Sequence, residues 1–100
     1  MTIGEYKTIE KFQEIEANTE GVIRWSGSKK PFKPILINGI YKIIYTNPGE
    51  RRKTMLAHGY IATLFVPNPK NYKSVRALDG DYTNLRASNL EWVKNAKLIN

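Results

Sequence analysis

The apolar positions of this chain fall into short groups separated by turn signals. Ala57, Ile61, Leu64 and Phe65 stand at i, i+4, i+7 and i+8, which is one face of a helix. Pro67 and Pro69 end that helix, because a residue before proline avoids the α region. Elsewhere the spacing is that of strands. Leu36, Ile40, Tyr41, Ile43, Ile44 and Tyr45 predict strands over 34–45, broken at Asn38-Gly39. Asn47-Pro-Gly-Glu50 is a turn signal, and 51–56 reads as a strand with a basic start. Val75 to Leu78 and Leu90 to Val93 predict two short strands around an Asp79-Gly80 turn, and residues 94–100 suit a final helix of about two turns. Residues 5–25 admit two readings. Ile9, Phe12 and Ile15 have helical spacing, with Gly21 as a stop, yet 12–25 also fits two strands joined by a polar turn at Asn18 to Gly21.

One hundred residues predict a single domain with one modest core, and 41% hydrophobic with 25% charged residues argues against disorder. No apolar run approaches the roughly 20 residues of a membrane span. The Met1-Thr-Ile-Gly-Glu-Tyr6 start lacks a basic-then-apolar leader pattern, and there is no cysteine. The expected location is therefore the cytoplasm of a bacterial or phage-infected cell, with no membrane partner. Charge changes the picture further. Residues 1–20 carry Glu5, Glu10, Glu14, Glu16 and Glu20 against Lys7 and Lys11, a net −3. The other residues carry 14 Lys and Arg against four acids, a net +10, which favours a phosphate-rich or acidic partner.

Two segments carry a resemblance. One is His58-Gly-Tyr-Ile-Ala-Thr-Leu-Phe-Val-Pro-Asn-Pro69; the other runs from Ser74-Val-Arg-Ala-Leu-Asp-Gly-Asp81 to Asn89-Leu-Glu-Trp-Val93. Together they resemble the HNH endonucleases of the phage and intron homing type, in which a His-Arg-opened helix ending in Pro-Asn-Pro leads to Asn/Asp-His-x-Asp-Gly and then Asn-Leu-Glu-Trp-Val. Upstream, Glu14-Ile-Glu-Ala-Asn-Thr-Glu-Gly-Val-Ile-Arg24 looks like the small DNA-binding module that often accompanies these nucleases, with one residue inserted at the turn. That likeness selects the hairpin for 12–25. The implied fold is α+β: a β-rich module over 5–50 and an HNH-like ββα half over 51–100.

In that family two strands and a helix clamp a divalent metal against the scissile phosphate. A histidine acts as general base, and a middle asparagine orients it. Carried over, the middle asparagine is Asn89, twelve positions after Ala77, and Asp79, Gly80 and Asn84 are retained, while Leu85 departs from the pattern. The base falls on Ala77, its preceding ligand on Arg76 and the last ligand on Leu98, with Asn95 three residues short of it. A methyl group takes no proton, a leucine ligates nothing and a guanidinium repels a dication. The expectation is thus a protein that is not an enzyme, with no catalytic residue, no metal and no cofactor. His58, the only histidine, matches the helix-opening position, whose usual arginine neighbour is Gly59, and is read as a helix-start residue making a local hydrogen bond.

The expected function is non-catalytic binding of double-stranded DNA, as a phage or mobile-element regulator. The alternative is a small phage-type inhibitor of a host protein (a nuclease, polymerase or defence factor), docking through the acidic first 20 residues. For DNA the expected contacts are Lys29, Lys30, Lys33, Arg51, Arg52, Lys53, Arg76, Arg86, Lys94 and Lys97, and Arg76 is the candidate for a bidentate phosphate contact in place of the metal. Trp25, Tyr41, Tyr45 and Trp92 are assigned to packing rather than to base stacking.

Overall fold

The computed structural model of the chain describes residues 5–94. After a single 3-10 turn at Glu10–Phe12, β1 (Ile15–Ala17) pairs antiparallel with β2 (Ile23–Trp25), Ala17 opposite Ile23. Asn18 makes the reversal: its buried Oδ1 accepts the Glu20 and Val22 amides, each at 3.0 Å. Helical spacing at Ile9, Phe12 and Ile15 is thus realised only as that one turn.

Asn38 (φ +51°) and Gly39 (φ +79°) form the two-residue turn that left-handed residues favour. It joins β3 (Ile35–Ile37) to β4 (Ile40–Tyr45), and β5 (Lys53–Leu56) completes a three-stranded antiparallel sheet in the order β3-β4-β5. The third strand is shorter than expected. Tyr45, the last residue of β4, pairs with Lys53, so Arg51 and Arg52 have no strand to join and stay exposed.

Helix α1 (Ala57–Phe65) starts directly after β5 and ends where Val66 donates to the Ala62 carbonyl, just before Pro67. Its predicted apolar face is buried at Ala57 and Ile61. Strands β6 (Ser74–Ala77) and β7 (Leu90–Val93) form a second antiparallel pair, with Ala77 opposite Leu90. Leu78, expected in the strand, lies outside it and is 53% exposed, because its amide turns to the Asn89 carbonyl at the loop entrance. Of the expected final helix only Lys94 falls within the described residues, and it is not helical.

One buried apolar cluster draws on both halves, with Ile15, Ile23 and Ile43 from one and Tyr60, Ile61 and Leu90 from the other. The Tyr60 hydroxyl donates to the Ile15 carbonyl at 3.1 Å, which ties the helix to β1. Gly21 is a second tie. Its φ is +84°, and a Cβ there would lie 2.6 Å from the Leu85 carbonyl carbon. The architecture is α+β as expected, with seven strands and one α-helix among the described residues.

Candidate nucleic-acid interface

The β6–β7 connection is held by a network of polar side chains as well as by buried Leu85. Asn89 ends a 3-10 turn (Ala87–Asn89) and is buried. Its Oδ1 accepts the Asp79 amide at 3.1 Å, while its Nδ2 donates to the Asn84 carbonyl at 3.0 Å. Asn84 in turn donates to Asp79 Oδ2 at 3.0 Å, and Asp79 Oδ1 accepts the Asp81 amide at 2.8 Å. The hydrogen bond from Asn84, and after it that from Asp81, holds the Asp79 carboxyl below the usual range. Asn89, at the end of the loop, therefore ties down its start at Asp79 and its middle at Asn84, and Asp79, Asn84 and Asn89 form one network.

Strand alternation decides what stands beside that loop. Ala77 points inward, 3% exposed, so its methyl is part of the buried surface. Arg76 points outward beside its cross-strand partner Glu91, and Nη2 lies 2.7 Å from Glu91 Oε2. The guanidinium is thus already paired, whereas the sequence suggested a free one. No group of three His, Cys, Asp or Glu side chains suited to a metal occurs among the described residues, and Arg76 stands at the position that the resemblance gives to a ligand. Leu98 and Asn95 lie outside the described residues.

His58 is buried, 2% exposed, in the first turn of α1. Its ring meets Tyr82 edge to face at 4.8 Å between centroids, and burial pushes its pKa down, which favours neutral imidazole. The local hydrogen bond expected of it is not made by Nδ1. That atom is buried without a partner among the described residues.

The ten expected DNA contacts divide into two groups. Lys30, Lys33, Arg51, Arg52 and Lys94 are exposed, and none of them forms an ion pair among the described residues. The others are engaged or outside the described residues. Lys29 lies 3.2 Å from Glu16, Arg86 3.3 Å from Glu20, and Arg76 is held by Glu91. Lys53 is half-buried, donating to the Lys11 carbonyl at 2.9 Å and pairing with Glu14 at 3.2 Å. Lys97 is outside the described residues. Three of the five acids in the first 20 residues are consequently matched by cations of the same chain. The Tyr45 hydroxyl donates to Glu14 at 2.7 Å and is the main reason, ahead of Lys53, that its carboxyl falls to about 2.

The aromatics assigned to packing do pack. Trp25 meets Phe32 and Tyr45 edge to face at 5.0 and 5.4 Å, and the Trp92 indole donates to the Val66 carbonyl at 3.0 Å. Lys73, which sequence reasoning passed over because it stands in no cluster, is exposed next to β6. No helix of the described residues is long and apolar enough to cross a membrane.

No family model matches the chain. It is 32% identical over 91 residues to an uncharacterized HNH endonuclease of Acanthamoeba polyphaga mimivirus, and 32% identical over 90 residues to a second from the same virus. Each match covers 90% of this chain but only 23% and 27% of the relatives, so the chain spans about a quarter of their length. Among solved structures, the HNH homing endonuclease I-HmuI, described by its DNA binding and cleavage, matches with a TM-score of 0.73 at 25% identity, over 89% of this chain and 52% of that one. These findings correct one expectation. The likenesses are to endonucleases, one of them described by cleavage, and they point to a nuclease rather than to a protein that is not an enzyme.

Proposed function

We propose that this chain, HNH homing endonuclease-like in sequence and fold, binds double-stranded DNA through Lys30, Lys33, Arg51, Arg52 and Lys94. The observation that carries this reading is the Asn89 clamp. It ties the start and the middle of the β6–β7 loop to its end, in a chain whose fold matches a DNA-cleaving homing endonuclease over nine-tenths of its length. Residues 5–50 and 51–100 are taken as halves of one domain, since a single apolar cluster runs through both. Phosphate contacts from exposed cations set position and affinity rather than sequence choice. The chain is read as the DNA-gripping part of a nuclease-type fold.

The salt dependence of DNA affinity tests the reading. Five neutralised phosphates give a slope of log K on log salt of roughly −4 to −5. Reversing Arg51 and Arg52 to glutamate should flatten the slope by about two units, whereas Lys53→Gln should change it little, because that cation is already held by Glu14. Affinity that is unchanged between low and moderate salt would reject the DNA reading and favour a protein partner.

A further inference from the structure

Strand β3 has one side open. The sheet order β3-β4-β5 gives it a single neighbour, and Ile35, Leu36 and Ile37 are 47%, 54% and 40% exposed. Natural sheets guard such an edge with a lysine, a proline or a bulge, and the Ile-Leu-Ile strand contains none of these. The ladder register shows which backbone groups are free. Ile37 and Ile40 flank the two-residue turn and exchange hydrogen bonds, as do Ile35 and Lys42 two positions on. Leu36, between them, therefore turns its N–H and C=O away from β4. Neither group takes part in a backbone hydrogen bond outside the sheet among the described residues.

A groove adjoins this edge. Tyr41, the cross-strand partner of Leu36, lines an opening of about 670 Å³ together with Val22, Phe32, Lys33 and Pro34. Residues paired across a ladder share a face, so a residue paired with Leu36 would place its side chain on the groove side. Charge and size select the occupant. Lys33 on the groove and Lys42 on the other face of β4 form no ion pair among the described residues, so an added strand meets positive charge. A second copy would bring its own net charge of +7. Paired through three residues, it would also bury far less than the roughly 1,200–2,000 Å² of a stable interface. Double-stranded DNA would answer the lysines but has no peptide backbone to complete the ladder. We propose that the β3 edge takes up an extended segment of another protein, alternating apolar and acidic residues, as a fourth strand paired with Leu36. Main-chain bonds to Leu36 set its register, an apolar side chain lies over the groove, and carboxylates answer the unpaired lysines. This surface does not depend on the DNA-binding reading.

The test uses a short labelled peptide alternating valine and glutamate, titrated against the full chain by fluorescence anisotropy, with amide hydrogen exchange read in parallel. Binding should saturate with a dissociation constant on the order of 10–100 µM, as suits so short an edge. Exchange at the Leu36 amide should slow about tenfold at saturation, while Ile35 and Ile37, already bonded to β4, should change little. A valine–lysine peptide and a fully N-methylated valine–glutamate peptide should bind about tenfold more weakly or not at all. Leu36→Ser should weaken binding by about fivefold to tenfold, and Leu78→Ser, an equally exposed leucine outside this sheet, should not. No saturable binding, binding that leaves Leu36 exchange unchanged, equal binding of the lysine peptide, or equal losses in the two leucine variants would overturn the proposal. So would slowing of Leu36 exchange by a DNA duplex and not by the peptide, which gives the edge to DNA. Slowing that grows with protein concentration alone gives the edge to a second copy and overturns it equally.

Discussion

Gly21 joins the N-terminal hairpin to the nuclease-like half, and replacing it by alanine separates two costs that usually come together. Its φ of +84° lies in the left-handed region, where an L side chain costs about 1–2 kcal/mol. The added Cβ would also lie 2.6 Å from the Leu85 carbonyl carbon and 2.7 Å from its oxygen. Those are backbone atoms, which cannot rotate aside as a side-chain tip can, so an overpacking cost of about 1–3 kcal/mol follows. Together Gly21→Ala should lose about 2–5 kcal/mol. Gly39→Ala is the control, since its φ of +79° is nearly the same and nothing lies within 4 Å of the added atom. It should lose only the first cost. At roughly 4–8 °C per kcal/mol for a domain of this size, thermal melts followed by circular dichroism resolve the two easily. Gly21→Ala should melt about 8 °C or more below the native protein, and clearly below Gly39→Ala. Leu85→Ala should not rescue it, because the obstructing atoms include backbone. Equal losses for the two glycine variants would refute the claim that the hairpin and the Leu85 segment are in rigid contact.

The other predictions concern single groups. Asn89→Ala leaves the Asp79 amide and the Asn84 carbonyl without their partner, and urea unfolding should show a loss of about 1–3 kcal/mol per unsatisfied group, with a larger loss than for Asn84→Ala. Glu14 has a carboxyl pKa near 2 in the fold against an ordinary 4.5, so its contribution is complete above about 4.5 and is lost as pH falls towards 2. The gap in urea midpoint between the native protein and Glu14→Gln should therefore shrink across that window, and a gap independent of pH would exclude an ionised Glu14 as its source. Gly59→Ala should raise stability by about 0.5–1 kcal/mol in a thermal melt, since the position is helical, has no positive φ and leaves room for a methyl.

Most of the fold was legible because local signals agreed with one another. The Asn38-Gly39 turn, the i, i+4, i+7, i+8 face of α1 and the proline stop each act within a few residues, and each stands where the spacing put it. Boundaries failed where the deciding partner was distant. Lys53 begins β5 because Tyr45 ends β4, and Leu78 leaves β6 because Asn89 takes its amide and that of its neighbour. Neither is visible from the residues concerned. The site was legible in its frame and not in its electrostatics. Asn89 could be placed by counting from Ala77, whereas the pairing of Arg76 with Glu91, of Lys53 with Glu14 and of Arg86 with Glu20 depends on which side chains face each other across strands and loops.

That pairing changes how the net charge of +7 should be read. The opening acids seemed to form a separate negative surface, and the following cations a uniform positive one. In the fold Glu14, Glu16 and Glu20 instead meet Lys53, Arg24 with Lys29, and Arg86, so the acidic segment neutralises cations that counting alone would have given to DNA. The exposed Arg86–Glu20 pair contributes little to stability, on the order of 0–1 kcal/mol, whereas Arg24–Glu16 and Lys53–Glu14 are part-buried. Their larger effect is on where phosphate can be held. A cation already facing a carboxylate releases little counterion when a phosphate approaches, whereas Lys30, Lys33, Arg51, Arg52 and Lys94 face only solvent among the described residues. The part of the surface able to grip a DNA backbone is therefore smaller than the composition suggests. On the proposed DNA reading it lies on the turn after β2, the approach to β5 and the end of β7, three places that the sequence separates by some 20 to 40 residues.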